Sequence, residues 1–100
     1  MITLEDVLAR IQGSALVLGV DTVPKGHIRL ETSLVYPGGD SVDIFIRCDR
    51  ETLTLSDLGQ TAMMAGSRAL EMELDSLDCL LAGIDKLGRE AVRITGGQGP

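Results

Sequence analysis

Aromatic side chains are nearly missing from this chain: it has no Trp, and Tyr36 and Phe45 are its only aromatic residues apart from His27. Successive bases of a single strand need rings to stack on, so no such platform is available. The core must be built from Leu, Ile, Val, Met and Ala. Cysteine is scarce too, with Cys48 and Cys79 far apart and a single His. A structural zinc site takes four Cys or His ligands, which these residues cannot supply. No apolar run approaches the ~20 residues of a membrane span; the longest, Ala15 to Val20, is interrupted by Gly19. The N-terminus lacks a basic-then-apolar export pattern. A cytoplasmic protein is expected, with both cysteines reduced and buried. Bases are outnumbered, nine against fifteen acids, for a net charge of -6. A nucleic-acid binder would carry a basic face, so direct nucleic-acid binding is not expected.

What remains is a globular composition: 100 residues, 44% hydrophobic and 24% charged, enough for one domain. Residues 1–95 are expected to form it, with a flexible Gly-rich tail at 96–100. Thr3 and Asp6 have the spacing of a capping box, and Leu4, Val7, Leu8 and Ile11 follow on one helical face, which Gly13 ends. Ala15 to Val20 reads as a short buried strand or a linker, and Pro24-Lys25-Gly26 as a turn.

A β-meander then dominates. His27 to Tyr36 is strand-compatible, and Pro37-Gly38-Gly39-Asp40 has turn chemistry. Over Ser41 to Cys48, Val42, Ile44, Ile46 and Cys48 share one face, while Asp43, Phe45 and Arg47 share the other. Asp49-Arg50-Glu51 reads as a tight turn into a third strand, Thr52 to Ser56, with Leu53 and Leu55 inward. Loops this short make the strands antiparallel neighbours. Gln60 to Ala65 reads as a short helix with Met63 and Met64 facing the core. Residues 70–75 alternate with period two, although a helix continuing from Ala65 stays open. Asp75 or Ser76 then caps a helix with the stripe Leu77, Leu80, Leu81, Ile84 and Leu87, which Gly88 terminates. Ala91 to Thr95 is read as a last strand. The expected fold class is α+β: an N-terminal helix, an antiparallel sheet of three or more strands, and C-terminal helices on one face.

Two segments carry a resemblance. Tyr-Pro-Gly-Gly-Asp-Ser-Val-Asp-Ile-Phe-Ile (residues 36–46) and Leu-Thr-Leu-Ser-Asp-Leu-Gly-Gln-Thr (residues 53–61) together resemble the prokaryotic family known as domain of unknown function 1828. The chain departs from it at Ser56, where Thr is usual, and at Leu58, where an acid is common. The resemblance implies a small α+β domain found in bacteria, their phages and other mobile elements, and implies no reaction. Asp40, Asp43, Asp57 and Gly59 belong to these segments. They have ordinary structural readings: Asp40 as a turn acceptor, Asp43 as a paired or solvated carboxylate, Asp57 as a helix cap, and Gly59 at positive φ.

Catalytic chemistry finds little support. Asp40, Asp43 and Asp57 near Glu51 would suit Mg²⁺ and a metal-dependent nuclease. The only lysines, Lys25 and Lys86, lie far from them in sequence. A Cys-His pair is not visible, and Pro37 to Asp40 leads into a strand, whereas a phosphate loop opens a helix. No catalytic residue, metal or cofactor is expected. The remaining oddity is charge: from Ala69 to Asp85 there are five acids and no base. In an extended chain Glu71, Glu73 and Asp75 would lie on one side about 6.7 Å apart. With Asp78 they form a candidate partner-binding surface, able to imitate a nucleic-acid backbone in a basic groove. The ordinary reading of such a run is a solvated face. The function expected is therefore a compact non-enzymatic inhibitor of a host nucleic-acid machine. It would be anti-CRISPR-like and DNA-mimicking, with a basic subunit of a host defence complex as its protein partner. The alternatives are a regulatory adaptor acting by protein–protein contact, and the nuclease.

Overall fold

The computed structural model describes residues 1–23, 27–65 and 69–96, the side chains of Met64 and Ala65 excepted. The turn expected at 24–26 and the tail beyond 96 lie outside the described residues. Helix α1 (Leu4–Ile11) starts on a complete capping box. The Thr3 hydroxyl accepts from the Asp6 N–H at 3.1 Å, and an Asp6 carboxylate oxygen accepts from the Thr3 N–H at 3.0 Å. Two otherwise unpaired donors are satisfied in this way. Those hydrogen bonds hold the Asp6 carboxyl below its ordinary range. Val7 and Ile11 are buried, and Gly13 takes φ +82° just past the helix.

Five strands follow as one antiparallel sheet whose spatial order is the chain order: β1 (Val17–Val23), β2 (His27–Val35), β3 (Ser41–Asp49), β4 (Thr52–Ser56) and β5 (Glu71–Leu74). The segment Ala15–Val20, read as a short buried strand or a linker, contributes to the edge strand β1, which is not buried: Leu18 and Val20 are exposed. Residues 71–74 are extended. Helix α2 (Gln60–Ala65) lies between β4 and β5, and α3 (Leu80–Thr95) follows β5. Ser76 caps a short 3-10 turn, Leu77–Cys79, that runs into α3; its hydroxyl accepts from the Asp78 N–H.

The helices cover one face of the sheet. Ile28, Leu30, Val42, Ile44, Ile46, Leu53 and Leu55 bury their side chains there against Val7, Ile11, Leu80, Ile84, Leu87 and Ala91. Each fully buried Ile or Leu contributes roughly 1.5–3 kcal/mol. The alternation over β3 is as its sequence predicts. Thr32, also buried, donates from its hydroxyl to the Val42 carbonyl at 2.8 Å.

Three expectations are corrected. Gly88 does not end α3, and Ala91 to Thr95 is its last turn rather than a strand. Leu80, Ile84, Leu87 and Ala91 form one continuous buried stripe. Gly88 sits inside the helix because it packs against β2: a Cβ there would lie 2.5 Å from Leu34 Cδ1. Met63 does not face the core either; it is 88% exposed. Thr61 of the same helix is fully buried instead; the expectation for Met64 lies outside the described residues.

Candidate functional site

Among the described residues, no helix packs on the opposite face of the sheet. Strand pairing arranges its side chains in rows. One row runs Val23, His27, Arg47, Thr54, Glu73. The next runs Asp21, Arg29, Phe45, Ser56, Glu71. At its β1 side Arg29 is neutralised: its Nε and Nη2 donate to Asp43 Oδ2 at 3.1 and 3.0 Å, and its Nη1 reaches Asp21 at 3.3 Å. Glu31 beside them accepts from the Ser41 hydroxyl.

The β5 side differs. Phe45, Thr54, Ser56, Leu58 and Glu71 line a shallow depression of about 80 Å³ closed by His27 and Arg47. Leu58 is 64% exposed and has φ +51°. An L-residue with a branched side chain pays roughly 1–2 kcal/mol for that left-handed backbone. The sequence gives no sign of it beyond the neighbouring Gly59, whose φ is +81°. Thus an apolar side chain is held outward, against its conformational preference, beside the only Phe. Glu71 and Glu73 border this patch; both are exposed, and neither pairs with a cation among the described residues.

The four acids expected to act together do not share one surface. Met72 and Leu74 point to the core, which leaves Glu71 and Glu73 on the open face. Asp75 is exposed just past the strand. Asp78 belongs to the helical layer, where its carboxylate accepts from Arg10 of α1 at 2.9 Å.

Residues 36–46 and 53–61 meet around one buried carboxylate. Asp57 is 1% exposed. Its Oδ1 accepts from the N–H groups of Gly59 (2.9 Å) and Leu70 (3.2 Å), and its Oδ2 from that of Thr61 (2.9 Å). One carboxylate therefore ties the end of β4 to the start of α2 and the entry to β5. Tyr36, from the other segment, places its hydroxyl 3.1 Å from that of Thr61 and 3.4 Å from Gln60 Oε1. Burial pushes the Tyr36 hydroxyl above its ordinary pKa of 10.0. Asp40 contributes its main-chain carbonyl, which accepts from the Tyr36 N–H at 2.8 Å.

The carboxylates of the nuclease reading are not gathered. Asp40 and Glu51 flank opposite ends of β3, Asp57 points inward, and Asp43 is held by Arg29 on the other face. No group of three or more His, Cys, Asp or Glu side chains suited to a metal ion occurs among the described residues.

The thiols need a correction as well. Both are free, but Cys79 is exposed at the end of the 3-10 turn, and Cys48 is only half-buried on β3. The turn directs Leu80 inward and leaves Cys79 outside. Burial, and secondarily the Asp6 charge, raises the Cys48 thiol pKa, so less thiolate is present to react. With iodoacetamide at pH 7.5, mass spectrometry should find Cys79 modified at least about tenfold faster than Cys48. Denaturant should remove the difference, whereas faster native labelling of Cys48 would contradict this burial pattern.

Comparison with protein-family models, with curated proteins and with solved structures found no match.

Proposed function

We propose that this chain is a non-enzymatic binding module whose helix-free sheet face contacts a protein partner. Leu58 carries this reading. A large apolar side chain kept exposed at a cost in backbone strain, next to Phe45, is the kind of anchor that dominates protein interfaces. Glu71 and Glu73 beside it select a partner that is basic at that point, by complementarity of charge. Nucleic-acid-binding surfaces have that charge. In its most specific form, suggested by the net charge of -6, the module is an inhibitor competing with nucleic acid for a basic groove of a host defence machine.

Two variants test the face together. Leu58→Asn should melt at or above the parent temperature, because Asn tolerates the left-handed region. Glu71→Lys with Glu73→Lys should change stability by no more than about 0.5 kcal/mol, as exposed substitutions do. Both should lose partner binding. Parent and variant proteins are immobilised and exposed to host lysate at low and high salt. A partner should be retained by the parent at low salt, released by high salt or duplex DNA, and missed by both variants. Identical retention on all three baits would sink the reading.

A further inference from the structure

We propose that the outer edge of β5 takes up an extended basic segment of the partner by antiparallel strand addition. The proposal rests on the preceding reading for the sign of the partner's charge, and on independent geometry for the rest.

The hydrogen-bond phase of β5 is fixed at its entry. The Asp57 N–H donates to the Leu70 carbonyl at 3.2 Å, so Asp57 and Leu70 are a hydrogen-bonded pair of the β4–β5 ladder. Such pairs alternate along an antiparallel ladder. Leu55–Met72 and Leu53–Leu74 are therefore bonded pairs, and Ser56–Glu71 and Thr54–Glu73 are not. The main-chain N–H and C=O of Glu71 and Glu73 consequently point away from β4, to the sheet edge. No described residue bonds to them. These two residues present a main-chain ladder and two carboxylates at once.

On the other side of the same edge lies a cavity of about 130 Å³ between β5 and α3, lined by Leu70, Met72 and Leu87 with Glu71, Lys86 and Glu90 at its margin. An added strand alternates its side chains between the two faces. One set would enter this cavity, where the apolar walls of Leu70, Met72 and Leu87 favour an apolar residue. The other set would meet Glu71 and Glu73, which favour Lys or Arg. The occupant defined by this edge is an extended segment alternating basic and apolar residues. A second copy of this chain is disfavoured, because pairing β5 with itself would bring four carboxylates together.

The test uses a labelled peptide of sequence KVKLKVK, titrated into the full chain by fluorescence anisotropy. In antiparallel addition, residues opposite Glu71 and Glu73 share their face and exchange both main-chain bonds with them. These are the peptide's lysines. N-methylation of the inner lysines should therefore weaken binding at least about tenfold, whereas N-methylation of the Val and Leu residues should leave it within about threefold. The scrambled peptide KKVLVKK, of equal charge, should bind at least about tenfold more weakly. In the protein, Glu73→Pro deletes an edge N–H without removing a bond to β4. It should weaken binding at least about tenfold, against about threefold for Glu73→Gln. If the proline variant does not fold, the methylated peptides decide. Amide exchange at Glu71 and Glu73 should slow on binding. Equal affinity for the scrambled or lysine-methylated peptide would overturn strand addition while leaving a charge-selected protein contact intact. Protection appearing on β1 instead would overturn it as well.

Discussion

Asp57→Ala is expected to lower the melting temperature by about 15–30 °C, or to leave no folded protein. The carboxylate is 1% exposed and accepts three backbone N–H bonds. Hydrogen bonds to a charged group contribute about 1.5–3 kcal/mol each, and the donors they satisfy are costly to leave unpaired. The three are not additive, so a total of about 3–5 kcal/mol is reasonable. Alanine removes every acceptor oxygen and leaves the N–H groups of Gly59, Thr61 and Leu70 without a partner. Asp57→Asn, which keeps one oxygen, should fall between alanine and the parent. Differential scanning calorimetry distinguishes the three proteins. An alanine variant melting within about 3 °C of the parent would mean that these donors find other partners. The same substitution would loosen β5, whose entry at Leu70 is held by Asp57.

Ile44→Asp should abolish folding altogether. Ile44 is fully buried and pairs with Leu30 in the centre of the sheet. The substitution gives up roughly 1.5–3 kcal/mol of apolar burial. It also places a carboxylate where no partner exists, which costs several kcal/mol more. A domain of this size has little beyond about 5–10 kcal/mol to lose. Circular dichroism at 25 °C should show an unfolded chain with no cooperative transition. Its neighbour provides the control. Phe45→Ser alters the open face and should fold, with melting reduced by a few degrees at most. A folded Ile44→Asp together with an unfolded Phe45→Ser would invert the two faces.

Local chemistry explains what the sequence made readable. The Thr3–Asp6 box and the alternation over β3 depend on residues within a few positions of each other, and both stand as expected. The readings that failed depend on distant partners. Gly88 carries the mark of a helix stop, but its environment is Leu34 of β2, more than fifty positions earlier. Asp78 belongs to an acidic run in one dimension and to Arg10 in three. Met63 is apolar and is expected inward on a short helix, yet it is exposed and Thr61 is buried. For the site, Glu71 and Glu73 were legible only as part of the acidic run Glu71, Glu73, Asp75 and Asp78, whose first three members an extended chain would place on one side, with a helix left open. Leu58 was not, since nothing in a sequence announces a leucine at positive φ. The edge of β5 was equally hidden, because its phase is set by one bond from Asp57 to Leu70.

The order of the strands has a consequence for how the protein is made. All of β1 to β4 precede α2 and α3 along the chain. During synthesis the sheet can pair as it emerges, hairpin by hairpin, before α2 and α3 exist to shield its oily side. Ile28, Leu30, Ile44, Ile46, Leu53 and Leu55 must wait for α3, whose last residue is Thr95. At ribosomal speeds of about 5–20 residues per second, the roughly forty residues after Leu55 take about 2–8 s. Throughout that interval the nascent chain presents the bare underside of its sheet. Production of this protein should therefore be more sensitive to chaperone supply and to translation pauses after the codon for Leu55 than its finished stability would suggest.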